Sequence, residues 1–302
     1  MQKYGRVRGV QRYRCHSCGK QFKGGERRRP EELWREYQQG KQTYAQLAKA
    51  HGCAARTIQR CLDRYEPKAT VAQVPKGVVL LMDTTYFRRG FGVMLFRDAT
   101  TGQNLYRQYV KYETNQLYAE GIAQLRSRGV RIMAVVCDGR RGLFQLCGDV
   151  PVQMCQFHQM AIITRYLTRK PKLPAAQQLR ELVMILARTD KESFIGGLAQ
   201  WLSTWQGFLN ERSTDTVTGR SHYTHRRLRS AYLSVKRNLP WLFTWYDHPG
   251  LRIPNTTNAI DGHFAHLKNS LRNHNGLSEP RKRKFIDEFL KAWGSPIENK
   301  EQ

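Results

Sequence analysis

Acidic residues and long apolar runs are both scarce in this 302-residue sequence. Asp and Glu number 24 against 51 Lys and Arg, leaving a formal charge of +27. A surplus of that size repels itself in a compact chain unless something polyanionic offsets it, so nucleic acid is the first partner it implies. The longest apolar runs, over 78–82 and 132–137, fall far short of the ~18–20 residues a membrane span needs, so no membrane partner is expected. The N-terminus is basic but carries no apolar secretory stretch. The seven cysteines are odd in number and scattered, which argues against a disulfide scaffold and for a reducing, cytoplasmic setting.

Residues 1–66 hold sixteen Lys or Arg against six acidic residues and end at Glu66-Pro67, before a linker over 68–76. They read as a separate module: a partial zinc-ribbon-like segment over 1–28, then a helix-turn-helix over 29–66, ahead of a larger α/β domain over 67–302. Within 44–61, Ala48 is the small residue of the first helix, Gly52 the turn and Ile58 the apolar anchor of the second helix. Those spacings let two helices cross at a short turn. Arg56, Gln59 and Arg60 then face outward, able to reach base edges or phosphates in a major groove. An ordinary helical hairpin is the alternative. Cys15 and Cys18, in Cys15-His16-Ser17-Cys18-Gly19-Lys20, have the knuckle form that supplies half of a tetrahedral Zn²⁺ site. No second pair precedes Cys15, and Cys53 and Cys61 fall inside the helix-turn-helix, so either the site is completed unusually or the ribbon is degenerate.

From Gly77 the pattern changes. Residues 78–82 form a continuous apolar run, read as a strand buried on both faces, and it stops at Asp83. Strands over 91–97 and 105–112 follow around a turn-rich stretch, then a helix over 115–128 closed by Gly129. A second buried strand over 130–137 also stops at an aspartate, Asp138. A short helix over 141–147 and a strand over 152–155 complete the order strand, strand, strand, helix, strand, helix, strand, which is that of a ribonuclease-H-like α/β core. An all-helical insertion over about 159–250 comes next, in which Trp201, Trp205 and Phe208 recur at helical spacing, as core stripes do. Residues 255–258 supply caps for a last helix over 259–273, with Asp261 in its first turn.

Two buried strands that each end in an aspartate are informative, because a carboxylate there costs desolvation energy unless a cation compensates it. Mg²⁺ takes oxygen ligands, and two such ions can activate the attacking oxygen and stabilise the leaving oxygen at a phosphodiester. Four short motifs sit at matching places: Met82-Asp83-Thr84-Thr85, Cys137-Asp138-Gly139 with Leu143, Cys155-Gln156-Phe157-His158, and Thr256-Thr257-Asn258-Ala259-Ile260-Asp261. In these motifs, and in the gaps of 55 and then 123 residues between the three aspartates, the chain resembles a bacterial insertion-sequence transposase of the Mutator-like superfamily over nearly its whole length.

The resemblance implies that Asp83, Asp138 and Asp261 form a catalytic, metal-binding triad for Mg²⁺ or Mn²⁺, with two ions. Asp261 departs from the Glu common in that family and is one methylene shorter, so its carboxylate has to come closer or act through water. Cys155 and His158 match the family's cysteine-x-x-histidine pattern and are expected beside the active site. Lys268 and Arg272, with the basic stretches 222–229 and 281–284, are candidates for DNA-strand contacts. The implied activity is metal-dependent cleavage at terminal inverted repeats followed by strand transfer into target DNA, by a homo-oligomer in the bacterial cytoplasm, associated with the nucleoid. Two alternatives stand beside it: a catalytically inactive DNA-binding protein derived from a transposase, and a ribonuclease-H-like nuclease without strand transfer.

Overall fold

The computed structural model describes residues 1–23, 29–66, 77–274 and 276–292, so the linker expected over 68–76 and the end of the ribbon-like segment lie outside the described residues. The chain forms two compact units, one of Met1–Ala69 with Ser270–Phe285 and one of Thr70–Asn269 with Ile286–Gln302.

The first unit begins with β1 (Gln2–Val7), β2 (Val10–Arg14) and β3 (Gln21–Lys23), an antiparallel sheet in that order. Three helices follow, α1 (Pro30–Gln38), α2 (Tyr44–Ala50) and α3 (Ala55–Asp63). Thr43 and Gln46 make a reciprocal capping box at the start of α2, which satisfies two amides the helix leaves open. Gly52 takes φ +55° in the four-residue turn between α2 and α3, where a side chain would be strained. Leu33, Trp34, Tyr37, Leu47, Ile58 and Leu62 are buried and form the apolar side of this bundle.

Residues of the second unit supply β4 (Val78–Arg88), β5 (Phe91–Asp98), β6 (Asn104–Val110), α4 (Asn115–Ser127), β7 (Ile132–Cys137), α5 (Leu143–Leu146) and β8 (Val152–Met154). The sheet order is β6-β5-β4-β7-β8, with the first three strands antiparallel and β4, β7 and β8 parallel. That is a ribonuclease-H-like core. Residues of both parities along β4 and β5 are buried, so the sheet is covered on both faces. The β5–β6 turn is held by the Asp98 carboxylate, which accepts from the amides of Thr100 and Thr101 at 3.2 and 3.0 Å. Gly121 lets α4 lie directly on the sheet, because a Cβ there would collide with the Phe96 ring.

One expectation changes in detail. The first strand does not stop at Asp83 but runs on to Arg88, with Asp83 paired opposite Leu95 of β5. The parallel ladder is what stops: its last β4–β7 pair is Leu81 with Val136, so Asp83 and Asp138 each sit two residues past that pair, where the two strands part.

The insertion comprises α6 (Gln156–Leu167), α7 (Pro174–Met184), α8 (Lys191–Asn210), a hairpin of β9 (Arg212–Thr214) and β10 (Ser221–Tyr223), α9 (Arg226–Leu242) and α10 (Thr244–Asp247). It is helical except for that hairpin. Asp215 accounts for the exception, since its carboxylate accepts from the amides of Val217 and Thr218 at 2.9 and 2.7 Å and closes a tight turn. The aromatic stripe is core: Trp201 is buried, donates to Ala175 O at 2.9 Å and stacks on Tyr232. The chain then forms α11 (Asn258–Arg272) and α12 (Glu279–Ala292). Among the described residues no helix is long and apolar enough to cross a membrane.

Candidate active site

Backbone and side-chain hydrogen bonds stitch together the places where the three aspartates stand. The amide of Cys155, at the N-cap of α6, donates to Cys137 O at 2.8 Å, which ties the start of α6 to the residue before Asp138. The next amide, of Gln156, donates to Asn255 O at 2.9 Å and draws in the loop that precedes α11. The Thr257 amide then donates to the Cys155 sulfur at 3.2 Å, and the one proton of the Thr257 hydroxyl is within reach of that sulfur and of Asp261 Oδ2, at 3.2 Å each. Asp138 Oδ1 accepts from the Arg140 amide at 3.1 Å.

Electrostatics show that the carboxylates share one region. Burial and then the charge of Asp261, with a smaller contribution from Asp138, push the Asp83 carboxyl up to about 7. His158 is driven the other way for an imidazole in a partly buried place: its contact with the Cys155 thiol, and the charges of Cys155, Asp83 and Asp261, hold its proton up to about 9 against the effect of burial. Burial pushes the Cys155 thiol up, but the His158 ring and Thr257 more than offset this and leave it below its ordinary value. The His158 ring and the Cys155 thiol thus favour one another's charged forms, beside the carboxylates.

The aspartates are near one another without being closed. Among the described residues no three His, Cys, Asp or Glu side chains stand together tightly enough to hold a metal ion as they are. The electrostatic coupling of Asp83 to both other aspartates nevertheless fits an oxygen-donor site for a hard cation, since a buried carboxylate forced to keep its proton by like charges is one that a dication relieves.

Glu113 is an acid that sequence reasoning missed. Its carboxyl accepts from Tyr118 Oη at 2.7 Å and lies 3.7 Å from Arg140, whose Nη2 donates to Glu113 O at 2.8 Å. Burial, and the charge of Asp138 in smaller part, raise its proton affinity despite the Tyr118 bond. Tyr118 also reaches Thr84 at 3.0 Å, so a network of Thr84, Tyr118, Glu113 and Arg140 braces the residues next to Asp83 and Asp138. A single Glu in a loop gives no sequence signal of this; only the fold brings it there.

Among solved structures, the chain is similar to one in a simian T-cell lymphotropic virus intasome in complex with the PP2A regulatory subunit B56 gamma, at 14% identity and a TM-score of 0.22, over 66% of this chain and 74% of that one. It is also similar to the HTLV-2 integrase catalytic core domain in complex with magnesium, in trimeric form at 13% identity and a TM-score of 0.23, over 53% of this chain and 99% of that one. The dimeric form of the same domain gives 14% identity and a TM-score of 0.22, over 53% and 99%. No protein-family model and no curated protein matches the chain. Scores this low add nothing to the fold, which rests on its own strand order.

The remaining sequence-derived candidates are placed as follows. In the first unit, Arg56 and Arg60 are exposed on α3 and Gln59 is half-buried, its Oε1 accepting from Arg56 at 3.3 Å. Lys268 lies on α11, two turns after Asp261, and Arg272 ends that helix. Cys15 and Cys18 occupy the turn between β2 and β3, where the Ser17 hydroxyl at 3.1 Å, with Cys18 behind it, draws the Cys15 thiol down to about 6. No third zinc ligand joins them among the described residues. Some residues of the two basic stretches also make contacts within the chain. Arg281 pairs with Asp63 at 2.8 and 2.7 Å, and Lys284 donates to Leu62 O at 2.8 Å, because an acid and open carbonyls end α3 beside them. Arg227 donates to Arg165 O at 2.8 Å, and Arg229 stands 4.0 Å over the Tyr223 ring.

Proposed function

We propose that this chain is a DNA transposase of the Mutator-like type, which cleaves DNA at the ends of an insertion sequence and transfers the freed strand into target DNA. One observation supports the reading: Asp83 and Asp138 stand two residues past the last pair of the parallel ladder, and burial, with the charges of Asp261 and Asp138, pushes the Asp83 carboxyl up to about 7. Asp83, Asp138 and Asp261 would hold Mg²⁺ or Mn²⁺, and bound there the metal supplies Lewis-acid activation of the attacking and leaving oxygens of a phosphodiester. Thr257 orients the Asp261 carboxylate through its hydroxyl. The His158 imidazolium faces the acids and offers a positive charge to a scissile phosphate. Arg56, Gln59 and Arg60 on α3 bind the terminal repeats, Lys268 and Arg272 bind the strand beyond the site, and two copies of the chain hold two ends. Cys15 and Cys18 are at most half of a zinc site.

The test is strand cleavage on duplexes carrying the element's terminal inverted repeats, with Mg²⁺ or Mn²⁺ and a target plasmid. Nicked ends and joined product are expected; Asp83→Ala and Asp138→Ala each abolish both while end binding persists. Normal cutting by either variant refutes the site. Cut ends without joined product would leave a nuclease. The open spacing of the three carboxylates favours a second reading, a non-catalytic DNA-binding descendant, whose signature is end binding with no cut strand under either metal.

A further inference from the structure

A cleft of about 460 Å³ opens beside Gly139, the residue after Asp138, between the loop that leads into α5 and the helices α6 and α9. It is of the size that accepts small organic ligands, roughly 300–1,000 Å³. Three features of its lining bear on what fits. Its mouth carries Arg141, Arg165 and Arg237, all exposed, and none of these guanidinium groups is in an ion pair among the described residues. Its wall includes the Trp241 indole, set in place by stacking on Phe144 with ring centroids 4.4 Å apart. Its depth holds Asn238, a carboxamide only 6% exposed.

The orientation of Asn238 is fixed by a chain of bonds. Ser234 gives its one hydroxyl proton to Ala231 O at 2.8 Å, so it can only accept from Gln159 Nε2 at 3.2 Å. Gln159 Oε1 must then accept from Asn238 Nδ2, at 2.7 Å. That leaves Asn238 Oδ1 with no donor among the described residues, in a cleft whose lining also carries three arginines, aromatic rings and the apolar Ile162. A ligand that is anionic, planar and able to donate a hydrogen bond from its edge satisfies all three features, and a nucleotide is such a ligand.

We propose that this cleft holds one unstacked nucleotide of the DNA strand next to the bond being cut. The base lies against Trp241 with an edge donor on Asn238 Oδ1, and the flanking phosphates lie on Arg141, Arg165 and Arg237. The assignment rests on the transposase reading only for the strand's identity; binding needs no metal and no cleavage. Holding a base out of the helix costs least where it is already unpaired, so the cleft selects for unpaired positions.

The experiment measures anisotropy of labelled duplexes with the full chain in EDTA, one duplex fully paired and one with a single unpaired adenine. The unpaired duplex is expected to bind roughly tenfold tighter, since stacking of a base on an aromatic side chain is worth about 1–3 kcal/mol. Trp241→Leu, which keeps apolar volume against Phe144, should erase the preference. Arg165→Glu and Arg237→Glu, at the exposed mouth, should weaken the unpaired duplex more than the paired one, and they decide the matter if the Trp241 variant misfolds. Equal affinity for both duplexes, or a preference that survives these changes, overturns the proposal. Displacement by dAMP without any preference for the unpaired duplex would assign the cleft to a free nucleotide and overturn the strand assignment. Loss of cleavage with the preference intact would count against the transposase reading alone.

Discussion

Cys155 and Thr257, 102 positions apart, meet twice: the Thr257 amide donates to the Cys155 sulfur, and the Thr257 hydroxyl lies beside that sulfur, at 3.2 Å each. The same hydroxyl reaches Asp261, so this contact fixes the first turn of α11 against the start of α6. Cys155 therefore holds Thr257, whose hydroxyl stands beside Asp261 in the first turn of α11.

Thr257→Val keeps the shape of the side chain and removes its hydroxyl. It should lower kcat for strand cleavage by roughly tenfold with KM for DNA nearly unchanged, because one hydrogen bond to a charged group is worth about 1.5–3 kcal/mol and each 1.4 kcal/mol is tenfold in rate. Thr257→Ser should restore most of the rate. A matching loss in DNA affinity, or no rescue by serine, would show that the hydroxyl serves packing rather than the orientation of Asp261.

A second expectation follows from Asp83. Its folded carboxyl titrates at about 7, well above the 3.8 of an unperturbed aspartate, because of burial first and Asp261 second. Between those values the folded state holds the extra proton, so the contribution to stability is full below about 3.8 and is lost as pH rises through about 7. A dication displaces that proton and relieves the repulsion. Mg²⁺ should therefore raise the Tm more at pH 8 than at pH 6, and its binding should release protons near pH 6.5. Asp83→Asn should raise the metal-free Tm at pH 8 and remove the Mg²⁺ effect. Equal Mg²⁺ shifts at both pH values would remove Asp83 from the ligand set.

How far these features were legible in the sequence follows from what each depends on. The apolar runs that become β4 and β7, and the aspartates near their ends, are local patterns, and the strand order follows from them with the Asp98 turn and the Gly129 stop. The overrun of β4 past Asp83 was hidden because antiparallel pairing to β5 continues after the parallel neighbour has left, which polar residues such as Thr84 and Thr85 do not forbid. The β9–β10 hairpin turns on one Asp215 cap inside a helical region. Glu113 and the Arg281–Asp63 pair join residues from distant parts of the chain, and no spacing rule reports such meetings.

The Arg281–Asp63 pair carries a stability expectation of its own within the first unit. The guanidinium grips both carboxylate oxygens, but the side chains are 29% and 45% exposed, so solvent screens them. A double-mutant cycle with Arg281→Ala and Asp63→Ala should give a coupling of about 0.5–1 kcal/mol by denaturant unfolding. Arg281→Ala should leave strand cleavage by an already bound complex unchanged. A coupling near zero would mean that α3 is held by Lys284 and apolar contacts alone.

His274 gives the same unit a sharper response to acid. The ring lies 4.1 Å from the centroid of Tyr37 and 5.0 Å from that of Phe285, and neither of its nitrogens has a hydrogen-bond partner among the described residues. Burial drives its pKa down from 6.5 to about 4. The folded unit thus excludes a proton that the unfolded chain takes up, and stability is present above about 6.5 and falls as pH drops toward about 4. One proton gives a slope of about 1.4 kcal/mol per pH unit in that window. The Arg281–Asp63 pair works in the same direction at still lower pH, since the guanidinium holds the Asp63 carboxyl below its usual range. DNA end binding by α3 should therefore weaken between pH 6.5 and 4.5 as this unit opens, read as loss of hydrogen-exchange protection over α1 and α3. His274→Phe, which fills the same aromatic space without a titratable group, should flatten the response, and an unchanged pH profile in that variant would exclude His274 as its source.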